Sequence, residues 1–314
     1  MVERQDGREV IYMIEIFKKT NFDFVGKRWI FFGLTLSLFA ASIISIVMHK
    51  GLNYGVDFTG GTVVELQFTQ RLPLSDARKI LADGGYACDL QDFPKDNTII
   101  VKLKSTEHGI ADKIQEVFAK AIPQNAFVLK HADYVGPTIG KHLKNQAFFA
   151  LFWAFVGIIV YVGLRFSSGI WGVAGVIALV HDVFITVGFL SVLGKEFTVT
   201  IIAVLLTIVG YSINDTVVVF DRMRENMRLY RKDTLFDIIN RSVNETLSRT
   251  VITSLTVVLV LLALFFFGGE AIHDFSLALL FGVTIGTYSS IFVAAPIVYE
   301  WEIRKDVKYK VVKK

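Results

Sequence analysis

Hydrophobic and polar positions are arranged on two different scales along this chain. Six stretches are almost wholly apolar over enough residues to cross a bilayer, which takes roughly 20. They run over 29–48, 147–164, 170–193, 197–220, 251–267 and 275–299. The fifth is the shortest, and Arg249 and Thr250 can extend it. Between the first two stretches the pattern shortens. TVVELQF (62–68) alternates with period two, as a half-buried strand does. Ser75 reads as an N-cap for a short helix over 75–85 that Gly84 and Gly85 end. Two strands, 87–93 and 98–103, flank the turn residues Pro94, Lys95, Asp96 and Asn97. Ile114, Val117, Phe118 and Ala121 fall at helical spacing over 111–122, and Pro123 stops that helix. A last strand covers 127–135. The order is β-α-β-β-α-β, the ferredoxin-like pattern. The expected fold is a polytopic α-helical membrane protein of six transmembrane helices, with one α+β ferredoxin-like (βαββαβ) extracytoplasmic domain between spans one and two.

Composition agrees. Hydrophobic residues make up 53% of the 314, and the mean hydropathy is +0.51, above the 45–50% apolar content typical of soluble domains. The first apolar stretch follows a charged segment too long for a secretory n-region and precedes no A-x-A-type cleavage site, so it reads as a retained anchor. Cys88 is the single cysteine and makes no intrachain disulfide. The formal net charge is +4, and its placement is more informative than its size. Basic residues crowd the segment before Trp29, Arg165 after span two, the 221–248 connection and the C-terminal segment, while the opposite short loops carry Lys195 alone. The positive-inside rule therefore places both termini in the cytoplasm. The expected division is a cytoplasmic tail 1–28, helix 29–48, an outside domain with its connections 49–143, helices two to six within 144–301 with a basic cytoplasmic loop near 221–248, and a tail 302–314. These basic loops follow topology, and no nucleic-acid module accompanies them.

The outside domain shows no chemistry of its own. His108 and His131 stand alone, without a metal-ligand partner at a useful spacing, and read as surface histidines. Asp57, Gly60 and Gly61 precede the first strand, and Gly136 and Pro137 follow the last. Each connection reads as a turn or as a hinge on which the domain swings.

Within the spans, ionisable side chains are functional-site candidates by default. Span three carries His181 and Asp182 about halfway along, and span four carries Asn214 and Asp215. Asp215 lies five residues before Phe220, about 7–8 Å inside the apolar end at 1.5 Å per residue. Tyr211 and Ser212 share its helical face. Arg249 opens the antiparallel span five at a similar depth and is the expected partner of Asp215. Ser248, Thr250, Thr253, Ser254 and Thr256 line span five, and Gly282 and Gly286 form a small-xxx-small face on span six. Low dielectric favours a neutral carboxyl and a guanidinium favours the anion, so a carboxyl between the two can take and release an ion. That relay reading competes with a fixed structural pair, and with an aspartyl dyad of Asp182 and Asp215, which would make the chain an intramembrane protease.

Five segments then fix a resemblance: VGYSINDTVVVFDRMREN (209–226), NYGVDFTGGTVVEL (53–66), VGPTIGKHL (135–143), VIALVHDVF (176–184) and NETLSRTVITS (244–254). In this order and spacing the chain resembles the SecD/SecF family of the resistance-nodulation-division superfamily. The resemblance implies a six-span half that pairs with a SecD partner beside the SecYEG channel and its accessory membrane subunits in the bacterial cytoplasmic (inner) membrane. It implies late-stage export of unfolded preproteins driven by protons, or sodium in some organisms, with no enzymatic activity and no cofactor. It puts the essential carboxylate on Asp215 and the span-five arginine on Arg249, with a relay or structural role for His181 and Asp182; Ser212 and Asn214, read from their place beside Asp215 in span four, complete the candidate ion relay. The alternative is half of a lipid or small-molecule exporter of the same superfamily.

Overall fold

The computed structural model describes residues 2–5, 8–11, 20–94, 96–105, 107, 109–166, 169–269 and 272–312, with only the backbone path given for 2–11 and 305–312. His108 and Lys95 lie outside the described residues. The N-terminal segment is not all tail: β1 (Val2–Gln5) and β2 (Arg8–Ile11) pair as an antiparallel hairpin.

The first long helix is α1 (Arg28–Met48). A single turn, α2 (Val56–Thr59), leads into β3 (Gly61–Phe68), α3 (Leu74–Asp83), β4 (Asp89–Phe93), β5 (Thr98–Leu103), α4 (Ile110–Ala121) and β6 (Phe127–Val135). The sheet order is β4-β5-β3-β6, all antiparallel, which is the ferredoxin-like topology. Period-two burial of Val64, Leu66 and Phe68 on β3 meets Ala77 and Leu81 of α3 and Ile114 and Phe118 of α4, and these form the domain core. One expectation changes: Pro73, not Ser75, stands at the N-cap of α3 and makes no side-chain cap bond, since its fixed φ already sets the entry to the helix. His131 is exposed and pairs with Asp133 at 2.8 Å.

The bundle consists of α1, α5 (Pro137–Phe166), α6 (Gly169–Val192), α7 (Val199–Leu229), α8 (Leu235–Phe267), and a sixth unit built from α9 (His273–Ser289), a π-helical turn (Ser290–Ala294) and α10 (Ala295–Val312). Among the described residues six helices are long and apolar enough to cross a membrane. In α6, α7 and the sixth unit 56% of the apolar window is buried, against 11–17% in α1, α5 and α8, so the first three form the centre and the others present apolar surface outward. Two apolar clusters fill the interior. One, with Phe166, Trp171, Phe220 and Tyr299, sits at the end that carries Phe24 and Val25. The other, with Phe58, Phe197, Leu205 and Leu261, sits at the domain end.

The basic 221–248 segment is not a loop. α7 continues to Leu229 and α8 begins at Leu235, so the connection is a short turn on a helical hairpin. Arg222 pairs with Glu225 at 2.7 Å and Glu245 at 2.6 Å, and Arg165 pairs with Asp221. Internal pairing lets a strongly charged segment stay helical once it leaves the apolar layer.

Candidate functional site

Among the described residues two carboxylates are buried within the bundle, and the fold gives them opposite surroundings. Asp182, on α6, is wholly buried. Its Oδ2 accepts from Ser212 of α7 at 2.5 Å and from Ser289 of α9 at 2.8 Å, while Oδ1 lies 2.8 Å from His181 Nδ1. Three helices therefore meet on one carboxyl. They can do so because Gly286 has no side chain: a Cβ there would lie 3.0 Å from Ser212 Cβ and 3.6 Å from Asp182 Oδ2. Gly282 does the same one turn away, against Ile208. The junction sits between the two apolar clusters, since Ile208 belongs to one and Val209 to the other. The π-helical turn begins immediately after Ser289. Such turns recur at functional sites because they break the regular hydrogen-bond ladder.

Asp215 is 3% exposed, and its Oδ2 has no hydrogen-bond partner. Among the described residues it forms no ion pair. The charge that acts on it is Arg249, across more than ion-pair distance. Arg249 is itself exposed and, with Thr253, lines a cavity of about 1330 Å³ that also touches Asp23, Asn240 and Glu245 at the end of the bundle that carries the termini. Its neighbour Thr250 is buried with Oγ1 unpartnered. Asp215 Oδ2 and Thr250 Oγ1 are thus orphaned polar atoms, as is Asn226 Oδ1 nearer the α7–α8 turn, each costing roughly 1–3 kcal/mol if left dry and unpaired.

The polar face of α7 divides between these centres. Ser212 turns to α6 and α9, while Tyr211 reaches α8, with Oη 3.4 Å from Ser254 Oγ, which is 2.6 Å from Thr287 of α9. Residues three and four apart share a face but differ by tens of degrees around it, enough to point at different neighbours. Asn214 is exposed and joins neither centre. Asp182 and Asp215 lie in different seams and do not form a shared-proton dyad. Among the described residues no group of three His, Cys, Asp or Glu side chains could hold a metal ion.

The two domain connections meet at one place. Asp57 Oδ2 accepts from Val199 N at 3.0 Å, capping α7. Gly60 has φ +76°, and a Cβ there would lie 3.1 Å from Pro137 Cα; one at Gly140 would lie 3.0 Å from Phe58 O. Gly136 precedes this contact as the residue before α5. Phe197 bonds the 53–55 strip through its N–H to Asn53 O (2.7 Å) and its carbonyl to Gly55 N (3.0 Å). Lys102 of β5 pairs with Glu196 at 2.6 Å. In this conformation the connections are packed joints that dock the domain on the α6–α7 turn.

Sequence reasoning did not single out Ser289, whose signal was only the run of small and polar residues beside Gly286. It also missed the clamp on 22–25. Asn244 brackets Phe22, accepting from its N–H and donating to its carbonyl at 2.9 Å each, and Asn240 accepts from Phe24 N at 2.9 Å and Val25 N at 3.0 Å.

Fold and site define a polytopic membrane protein with a ferredoxin-like domain inserted after its first helix and two carboxylates buried at mid-bundle. The family model described as protein export membrane protein SecD/SecF, C-terminal, matches residues 114–304, and the SecD/SecF GG motif matches 46–70. The chain belongs to the SecD/SecF family, and it is a subunit of the Sec protein-export machinery. Relatives named protein translocase subunit SecF include that of Endomicrobium trichonymphae, 38% identical over 95% of this chain and 97% of the relative, and that of Thermodesulfovibrio yellowstonii, 42% identical over 91% and 96%. The crystal structure of SecDF from Thermus thermophilus, described as a translocon-associated membrane protein, superposes with a TM-score of 0.83 at 37% identity over 94% of this chain. A second, SecDF in a super-membrane-facing form, gives 0.71 at 36% identity over 98%. The chain spans 40% and 41% of those two SecDF chains.

Proposed function

We propose that this subunit couples a proton or sodium gradient to late-stage preprotein export across a bacterial inner membrane, with Asp215 as the ion-carrying group and Arg249 as its movable counter-charge. The termini face the cytoplasm, where the basic residues cluster, and the ferredoxin-like domain faces outward. SecD supplies the other half of the bundle, and the pair acts beside SecYEG on an emerging unfolded chain. The observation that carries this reading is the orphaned, buried Oδ2 of Asp215 with Arg249 held off it in an open cavity. A carboxyl in that position is poised between a neutral form favoured by burial and an anion favoured when the guanidinium closes. One charge moved through 100 mV releases about 2.3 kcal/mol, enough to bias a two-state domain equilibrium appreciably. SecDF neighbours of which this chain matches about two fifths support a second half as the partner.

The test is export in cells carrying Asp215→Asn alone, with proton-only and sodium-containing media compared. Folding and assembly with SecD are expected to persist while ion-dependent export is lost, and normal secretion would refute the relay. Arg249→Lys should retain partial export and Arg249→Met none; wild-type behaviour of Arg249→Met would leave Arg249 a topology signal only.

A further inference from the structure

His181 carries a second, separate anomaly. The residue is 2% exposed, and its Nε2 has no partner. Its ring stacks on Tyr288 of α9 with centroids 6.1 Å apart and lies 5.7 Å from Phe39 of α1. Its Nδ1 is committed to Asp182 Oδ1 at 2.8 Å. If the imidazole is neutral with Nδ1 as donor, the buried Asp182 is an anion without a counter-charge, and Nε2 is an acceptor without a donor. If the imidazole is charged, Nε2–H is a buried donor without an acceptor. In either form the centre lacks one partner at one atom, and burial makes that lack costly.

We propose that the His181–Asp182 pair is a second intramembrane proton site, independent of Asp215, which takes one proton at Nε2 and reports its state to α7 and the sixth helical unit through Ser212 and Ser289. The step takes one proton from the aqueous phase: an O–H bond of hydronium breaks as an N–H bond forms at Nε2, the proton on Nδ1 passes to Asp182 Oδ1, and the products are water, a neutral imidazole and a neutral carboxylic acid. The pair changes from a net charge of −1 to 0. Oδ2 then becomes the carbonyl oxygen of an acid, a weaker acceptor than a carboxylate oxygen, so the hydroxyls of Ser212 and Ser289 are held less tightly. The three-helix junction loosens at the point where the π-helical turn already interrupts the ladder.

The groups facing the pair are few. From α9 comes Tyr288, whose hydroxyl donates to Phe31 O at 3.0 Å and lies 3.2 Å from Thr35. α1 presents Phe39, and α7 presents Ser212; no ionisable side chain of α5 or α10 contacts the pair among the described residues. The other ionisable side chains of α7 near this depth, Asp215 and Tyr211, turn to the α8 seam, where Arg249 acts on Asp215. The ionisable side chain in contact with Asp182 is His181.

This inference rests on the ion-driven reading for its purpose but not for its measurement. Infrared difference spectroscopy across pH on the full-length chain, reconstituted with SecD, isolates it when Asp215→Asn is the background. One carboxyl C=O band should still appear and vanish with pH. It should be lost in Asp215→Asn/Asp182→Asn. It should shift in frequency in Asp215→Asn/Ser289→Ala, which keeps the carboxyl but removes one hydroxyl donor, and this arm stands even where the Asp182 variant fails to fold. Absence of a pH-dependent band in Asp215→Asn, survival of the band without Asp182, or a band unmoved by Ser289→Ala overturns the proposal. Loss of export in Asp215→Asn with this band intact separates the two sites, whereas normal export with the band intact refutes the relay at Asp215 and leaves this site standing.

Discussion

Asp182 and Asp215 lie on adjacent helices of the same bundle and are both almost wholly buried, yet one has an occupied oxygen shell and the other does not. Asp182 receives two hydroxyls and faces an imidazole, drawn from α6, α7 and α9, so it knits the centre together. Asp215 faces a seam with α8 in which its own Oδ2 and Thr250 Oγ1 are unpaired. The difference lies in the approach of the helices. α9 closes on α7 through Gly282 and Gly286, whereas α8 carries Arg249 and Thr253 into an open cavity. The carboxylate in the closed junction is held by hydrogen bonds from its neighbours; the one facing α8 keeps a buried oxygen without a partner.

The sharpest test of this contrast is to replace each carboxylate by leucine. Asp182→Leu strands the Ser212 hydroxyl and a histidine nitrogen, while Ser289 keeps Gly286 O as an acceptor at 3.1 Å. At roughly 1–3 kcal/mol per stranded group, unfolding in detergent should shift by at least about 2 kcal/mol. Asp215→Leu strands no hydrogen-bonded donor and removes a buried unpaired oxygen, so its stability should be unchanged or increased. Equal losses in the two variants would break the comparison.

Next in size is the glycine that closes the junction. Gly286→Ala forces Ser212 aside and should cost about 1–3 kcal/mol, as overpacking does. Gly210→Ala, on α7 with nothing within 4 Å of its added Cβ, should be neutral or stabilise by a few tenths to about 1 kcal/mol through helix propensity.

The smallest effects concern the cavity that borders Arg249. Asn240→Ala removes the acceptor for Phe24 and Val25 and should cost about 1 kcal/mol, read as earlier proteolysis of the 20–25 segment. The same segment should respond to acid. Donation from the Asn240 side chain, and then from Gly26 N–H, holds the Asp23 carboxyl below its ordinary 3.8. A depressed carboxyl contributes stability that is present above its unfolded value and is lost as pH falls through the folded one. Proteolytic protection of 20–25 should therefore hold at neutral pH and fall only below about pH 4. Protection independent of pH down to 2 would remove Asp23 from the clamp.

Local patterns made much of the molecule legible. Period-two alternation on β3 and the helical spacing of Ile114 and Phe118 carry the ferredoxin-like domain, because a small sheet with one buried face must alternate. Apolar runs fixed α1 and α6 to within a few residues, but α5 begins at Pro137 and not at 147, α10 runs on to Val312, and α7 and α8 extend past the apolar layer on charged residues paired with each other. That extension was illegible because an isolated reading of Arg222 or Glu245 cannot tell a solvated loop from a salt-bridged helix. The presence of polar residues at 181–182 and 214–215 was plain, but their partners were not. Arg249 was the expected neighbour of Asp215 on depth alone, and depth sets only one coordinate of a side chain.

From the sequence alone come the membrane class, the inserted α+β domain, the family resemblance and the four polar positions inside apolar spans. The resemblance rests on five motifs in order along the chain, and the rest follows from composition or periodicity within one stretch. The tertiary structure decided that Ser212 and Ser289 share Asp182, that Asn214 faces outward, that Asp57 caps α7 and that Arg249 stands off Asp215 in a cavity. These outcomes depend on helix rotation and on how closely backbones approach at glycines, which are properties of packing between segments distant in sequence.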